Sequence, residues 1–234
     1  MERVLRIITL DIKRKKLLKG LMILLFIITG ILFSNYFLLH SIGMCEINEV
    51  PSMLLHIIPF VTLVISSFSL TQEFSNKTDK MIFTGIFNRN EIVISKLMGF
   101  IITSIVFFVF YVVTCIVCNT FNVNILINDL WVFLLYAFTI GSFILLVSAI
   151  TSNFIITGIV GYVLYFDLTL VLLNQALASK KNEVLKQIIR KLPFYIANTG
   201  FYGGNYTTEQ SIIMISFGVL FLGTACVIIN RKNM

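Results

Sequence analysis

LWVFLLYAFTIGSFILLVSAITSNFIITGIVGYVLYFDLTLVLLN, residues 130–174, carries a single charged side chain, Asp167. A helix rises 1.5 Å per residue and needs about 20 apolar residues to cross a hydrocarbon core about 30 Å thick. The stretch is long enough for two crossings, 130–150 and 154–174, with a short turn between them. Four more runs of this kind lie at 20–40, 54–71, 97–118 and 212–229. The hydrophobic fraction is 58% and the charged fraction 12%; mean hydropathy is +0.95. A soluble domain carries about 25% charged residues. No segment between the runs is long enough to bury a core of its own. The expected fold is an all-α integral membrane bundle of six transmembrane helices, forming one domain over residues 1–234.

The first run is not expected to be a signal peptide: nineteen residues precede it, and no A-x-A site follows. Positive charge near span ends sets orientation. Residues 1–19 hold Arg3, Arg6, Lys13, Arg14, Lys15, Lys16 and Lys19; loop 72–96 holds Lys77, Lys80, Arg89 and Lys96. Loops 41–53 and 119–129 hold none, and the tail ends with Arg231 and Lys232. This alternation places both termini and loop 72–96 in the cytoplasm. Segment 175–211 should then lie outside despite Lys180, Lys181, Lys186, Arg190 and Lys191. Val184, Leu185, Ile188, Ile189 and Leu192 recur at helical spacing, with the charges opposite. That suits a helix lying in the outer interface and ended by Pro193. The alternative is a re-entrant hairpin of spans 130–150 and 154–174, which would put 175–211 inside.

Two segments beside the membrane carry the functional reading. In residues 1–19, Val4, Leu5, Ile8 and Ile12 cluster on one helical face, away from Arg3, Arg6, Lys13 and Arg14. Such a basic amphipathic helix sits on an anionic leaflet. It is read either as a topology anchor or as an elbow helix framing a partner's docking site. Loop 72–96, QEFSNKTDKMIFTGIFNRNEIVISK, mixes charges with Phe74, Met81, Ile82, Phe83, Ile86 and Phe87, and includes a short helix candidate over Lys80 to Phe87. Aromatic and Met side chains among charges are typical of docking surfaces. The alternative is that the loop packs on its own bundle.

Glu73, Lys77-Thr78, Asn88-Arg89 and Lys96 stand where one family has an acid, a Gly-Thr pair, a Ser-Arg pair and a lysine opening the next span. In these residues, and in its basic elbow helix, six spans and long outer segment between spans five and six, the chain resembles the permease subunit of an ABC-2 type transporter. Lys77 stands in place of the family's Gly and Asn88 in place of Ser, and the proline before the Ser-Arg pair is missing. The resemblance implies that loop 72–96 is the coupling helix seated in a groove of a separate ATPase. Glu73, Phe74, Lys77, Thr78, Arg89 and Lys96 would carry that contact. It also implies two ATPase chains, a second permease copy or paralogue, a bacterial cytoplasmic membrane, and ATP and Mg held by the partner. Small permeases of this kind export hydrophobic or antimicrobial peptides or confer immunity. An amphipathic or lipid-like cargo suits spans so poor in charge.

The sequence has no G-x-x-x-x-G-K-[ST], H-E-x-x-H or G-x-S-x-G, so nucleotide-binding and common hydrolase signatures are missing. The chain is read as a transport subunit, not an enzyme, with no cofactor of its own and no nucleic-acid site. Cys115-Ile-Val-Cys118 is a C-x-x-C read as a redox or metal pair or, preferably, as two small apolar side chains. His40 and His56 at outer span ends are read as interfacial polar residues. Asp167 is costly in a span and is read either as a residue on the substrate path or as a helix–helix hydrogen-bond partner. Pro59 is expected to kink span two, and Ala137 with Gly141 to allow close helix packing. Two other readings remain: an integral-membrane enzyme with a site near Asp167 or in 195–210, and a non-transporting peptide sensor or immunity protein.

Overall fold

The computed structural model describes residues 15–41, 49–75, 88–165, 167–178 and 183–231. The first fourteen residues of the expected elbow helix, Lys77, Thr78 and the helix candidate over Lys80 to Phe87 lie outside the described residues. The described chain is all-helical: α1 (Lys15–Ser41), α2 (Val50–Ser75), α3 (Arg89–Val117), α4 (Val123–Thr151), α5 (Phe154–Tyr165), α6 (Asp167–Ala178), α7 (Glu183–Lys191), α8 (Pro193–Tyr202) and α9 (Thr208–Arg231). Among the described residues, five stretches are long and apolar enough to cross a membrane: Val50–Ser67, Arg89–Val117, Leu126–Thr151, Phe154–Ala178 and Thr208–Arg231. The protein is a multi-pass membrane protein.

The helices overrun the apolar runs that nucleate them. α2 continues to Ser75 and α3 begins at Arg89, so the segment between spans two and three is flanked by helix reaching well into 72–96. α1 takes in Lys15, Lys16 and Lys19. Once a turn is nucleated, each added residue closes one hydrogen bond, and polar residues at the membrane edge extend a helix without entering lipid. α2 runs through Pro59 as one element.

α4 is the centre of the bundle. It packs against α9, α3, α2, α5 and α8, and 72% of its spanning stretch is buried, against 14% for Phe154–Ala178. Lipid tails are as apolar as leucine, so helices in a bilayer associate through close packing and interhelical hydrogen bonds. Both are present around α4. A Cβ on Gly141 would stand 2.8 Å from Phe100 Cδ2 and 3.3 Å from Leu97 Cδ1 of α3, and neighbouring Ala137 is fully buried. The expected small-residue seam therefore faces α3. Ser104 Oγ donates to the Phe133 carbonyl at 2.9 Å. On the α9 side, the Phe138 ring lies on Gly218, and Thr139 Oγ1 donates to the Met214 carbonyl at 3.3 Å. Phe133 joins the rings of Phe108, Tyr111 and Phe201, while Phe143 joins Phe194 and Phe221. α5 meets α2 the same way: a Cβ on Gly161 would stand 2.6 Å from Leu63 Cδ1.

The α4–α5 turn is built by four polar residues. Ser152 takes φ of 52°, Asn153 Oδ1 accepts from the Ile155 amide at 2.9 Å, and the Thr151 and Thr157 hydroxyls lie 3.0 Å apart. The opposite end of α4 lies beside the α8–α9 connection, where Asp129 Oδ1 is 3.5 Å from the position of a Cβ on Gly204. The end of α9 meets the start of α3, as described below. These contacts place the end of α9 beside segment 72–96 and the α8–α9 connection at the other end of the bundle.

Gly141→Val is expected to cost about 1–3 kcal/mol through overpacking against Phe100. Thermal unfolding in detergent should show a lowered midpoint, with Phe100→Ala in the same chain restoring part of the loss.

Candidate functional site

Two polar clusters cap the bundle, one at each end. At the first, Asn88 leads into α3, and its amide donates to Glu91 Oε2 at 3.0 Å, the reach-back half of a capping box. Arg89 is the first residue of α3. Its Nη1 donates to the Ile229 carbonyl at 2.9 Å and to the Asn230 carbonyl at 3.2 Å. Asn230 Nδ2 donates to Asn90 Oδ1 at 2.8 Å. The last carbonyls of a helix have no intrahelical partner and carry partial negative charge. A guanidinium there satisfies both needs and ties the end of α9 to the start of α3. Beneath the tie, Ile92, Val93, Leu97 and Phe100 of α3 pack with Leu145 and Ala149 of α4 and Ala225 and Ile229 of α9.

The residues expected to meet an ATPase are not gathered on one described surface. Glu73 and Phe74 lie in the last turn of α2, and their side chains lie outside the described residues. Arg89 is half-buried and engaged with α9. Lys96 is only 8% exposed and stands two turns inside α3, on the stretch that also buries Ile92, Val93 and Leu97. The tie between Arg89 and α9 was not legible in the sequence: 140 positions separate Arg89 from Ile229, and the acceptors are backbone carbonyls, which every residue carries.

Asp167 lies within the Phe154–Ala178 span, and its side chain lies outside the described residues.

The second cluster is at the opposite end. Cys115 is buried, and its backbone carbonyl accepts from Thr120 Oγ1 at 3.3 Å. Cys118 is also buried, and both thiols are free; burial raises the Cys118 pKa above its ordinary value. These are the surroundings of inert small hydrophobes, since reactive thiols need a stabilised thiolate. Among the described residues, no three His, Cys, Asp or Glu side chains gather as a metal site. His40 stacks on Tyr36 and His56 on Tyr202, so each imidazole serves an aromatic contact.

Segment 195–210, one of the two places considered for an enzyme site, is helical up to Tyr202. Pro193 sits in the first turn, where its fixed φ and missing N–H are harmless, and Ile196, Ala197 and Phe201 face the core. The chain then turns back through Gly204 at φ 65°. The ring of Tyr206 lies on Gly200, and its hydroxyl donates to the Ala197 carbonyl at 2.7 Å. Burial pushes the Tyr206 pKa well above its ordinary value. Trp131 Nε1 donates to Ser211 Oγ at 3.4 Å. Asn198 Oδ1 is buried with no hydrogen-bond partner among the described residues.

No protein-family model matches this chain, and no curated protein matches it significantly.

Arg89→Ala should destabilise the α3–α9 junction by about 1–2 kcal/mol, the range of hydrogen bonds from a charged donor that is partly solvated. Hydrogen exchange of amides 225–231 should accelerate while that of α4 stays unchanged, with the chain alone in detergent. Tyr206 is predicted to make stability fall above pH about 10. There the unfolded chain releases the phenolic proton and the folded chain does not, so alkali favours unfolding. Tyr206→Phe should cost about 1 kcal/mol at neutral pH and flatten the alkaline decline, measured as the difference between the two chains' unfolding midpoints at pH 8 and pH 11.

Proposed function

We propose that this protein is the membrane subunit of an ABC-2 type exporter and that ATP is bound and hydrolysed by a separate chain. In this reading α1, 27 residues long, is the sixth span, and both termini and segment 72–96 face the cytoplasm of a bacterial cell. Residues 1–19 frame the docking site, and 76–87 form the part of the loop that enters the ATPase. Two ATPase chains and a second permease, either a copy or a paralogue, complete the transporter.

The observation that carries the reading is the Arg89 junction. Two long helices, α2 and α3, flank the inner segment, and the base of α3 is pinned to the end of α9. A push on the segment is thereby delivered to α3 and α9, both of which pack on α4. A loop supported in this way suits the transmission of force. The cargo that fits is a hydrophobic or amphipathic peptide, exported or cleared in self-protection: apart from Lys96, the described interior polar groups are hydroxyls and amides, such as Thr62, Ser66, Thr139 and Asn198.

The tagged chain, isolated from its native membrane in mild detergent, should co-elute with a P-loop ATPase in a one-to-one ratio. Replacing residues 77–87 with a Gly/Ser linker should abolish that association while membrane insertion persists. No ATPase across several detergents would sink the transporter reading.

A further inference from the structure

α7 is a short helix with two incompatible faces and little of the bundle against either. Val184, Leu185 and Ile188 are 65%, 45% and 57% exposed, whereas Ile189, at the edge of the same apolar arc, is buried. Glu183, Lys186, Arg190 and Lys191 occupy the opposite arc. Within the bundle α7 packs chiefly on its chain neighbours, α6 and α8.

Its level relative to the bundle is set at both ends. The Phe154–Ala178 span ends five positions before Glu183. At the other end, Lys191 Nζ lies 3.9 Å from Glu209 Oε1, in the first turn of the Thr208–Arg231 span. Tyr195 Oη donates to Asn174 Oδ1 at 2.9 Å, joining α8 to the end of the preceding span. A helix tethered between the ends of two spans lies at the height where hydrocarbon gives way to headgroups. There an exposed apolar arc is in its preferred solvent. It also continues the apolar surface of α6, where Val171 and Leu172 are 48% and 57% exposed.

We propose that α7 lies in the membrane interface and binds anionic phospholipid, with Val184, Leu185 and Ile188 in the acyl boundary and the basic arc on the headgroups. The charge selects the lipid. Three basic side chains face one acid in α7. Lys186 is shared with Glu183 at 3.0 Å and Lys191 with Glu209, so Arg190 is the principal headgroup contact. The inference rests on the membrane placement alone and stands whether or not an ATPase is found.

The test is hydrogen exchange on the full chain in nanodiscs of phosphatidylcholine alone or with one-third phosphatidylglycerol, α4 amides serving as the folding reference. Amides 184–191 should exchange about tenfold more slowly with phosphatidylglycerol present, the scale expected for one or two basic residues at an anionic surface. Arg190→Gln should remove most of that difference. Ile188→Glu should remove the protection in both lipids while α4 stays protected. Equal exchange in the two lipids would overturn the proposal. So would protection that appears only when an amphipathic peptide is added, since α7 would then be a peptide-docking face.

Discussion

Close packing of α4 against α3 and α9 is the constraint on which the rest of the bundle depends. Within a bilayer there is no gain from hiding one apolar helix against another, so contact distance and hydrogen bonding decide which faces meet. Gly141 admits the Phe100 ring on one side of α4, and Gly218 admits the Phe138 ring on the other. Ser104 and Thr139 then reach backbone carbonyls of neighbouring helices that are otherwise closed to side chains. With α4 enclosed, α2 and α5 add a further layer through Leu63 and Gly161, and lipid is left to cover α6 and the outer face of α5.

The two ends of the bundle are built differently, and the difference bears on what each can do. At the Arg89 end, one side chain joins the start of one span to the end of another, so the two move as a unit. At the Tyr206 end, a helix, a glycine turn and a buried phenol are packed on the aromatic rings of α4. That end is held by ring packing and one buried hydrogen bond.

The membrane class was legible in the sequence because it depends on a sum. Residues 130–174 carry one charge, and no arrangement of the remaining chain makes such a stretch soluble. The stripe of Val184, Leu185, Ile188 and Ile189 is likewise local, since helical periodicity depends only on near neighbours, and α7 appears where that stripe lies. The Ala137–Gly141 seam was legible as a possibility, though not its partner, because small residues signal close approach without naming what approaches.

What only the tertiary structure decided is which distant groups meet. Arg89 reads in the sequence as one more basic loop residue; its acceptors are carbonyls at Ile229 and Asn230, which no side-chain pattern marks. Lys96 reads as a charge at a span's mouth, whereas the helix starts at Arg89 and carries it into a buried face. Tyr195 to Tyr206 read as a loop rich in Gly and Tyr. There Pro193 starts a helix, and Gly200 is small enough to lie under the ring of Tyr206. Composition and periodicity are one-dimensional sums over neighbours in the chain. Capping, ring stacking and the choice of helix partner depend on which surfaces fit in space, and that is fixed only when the helices pack together.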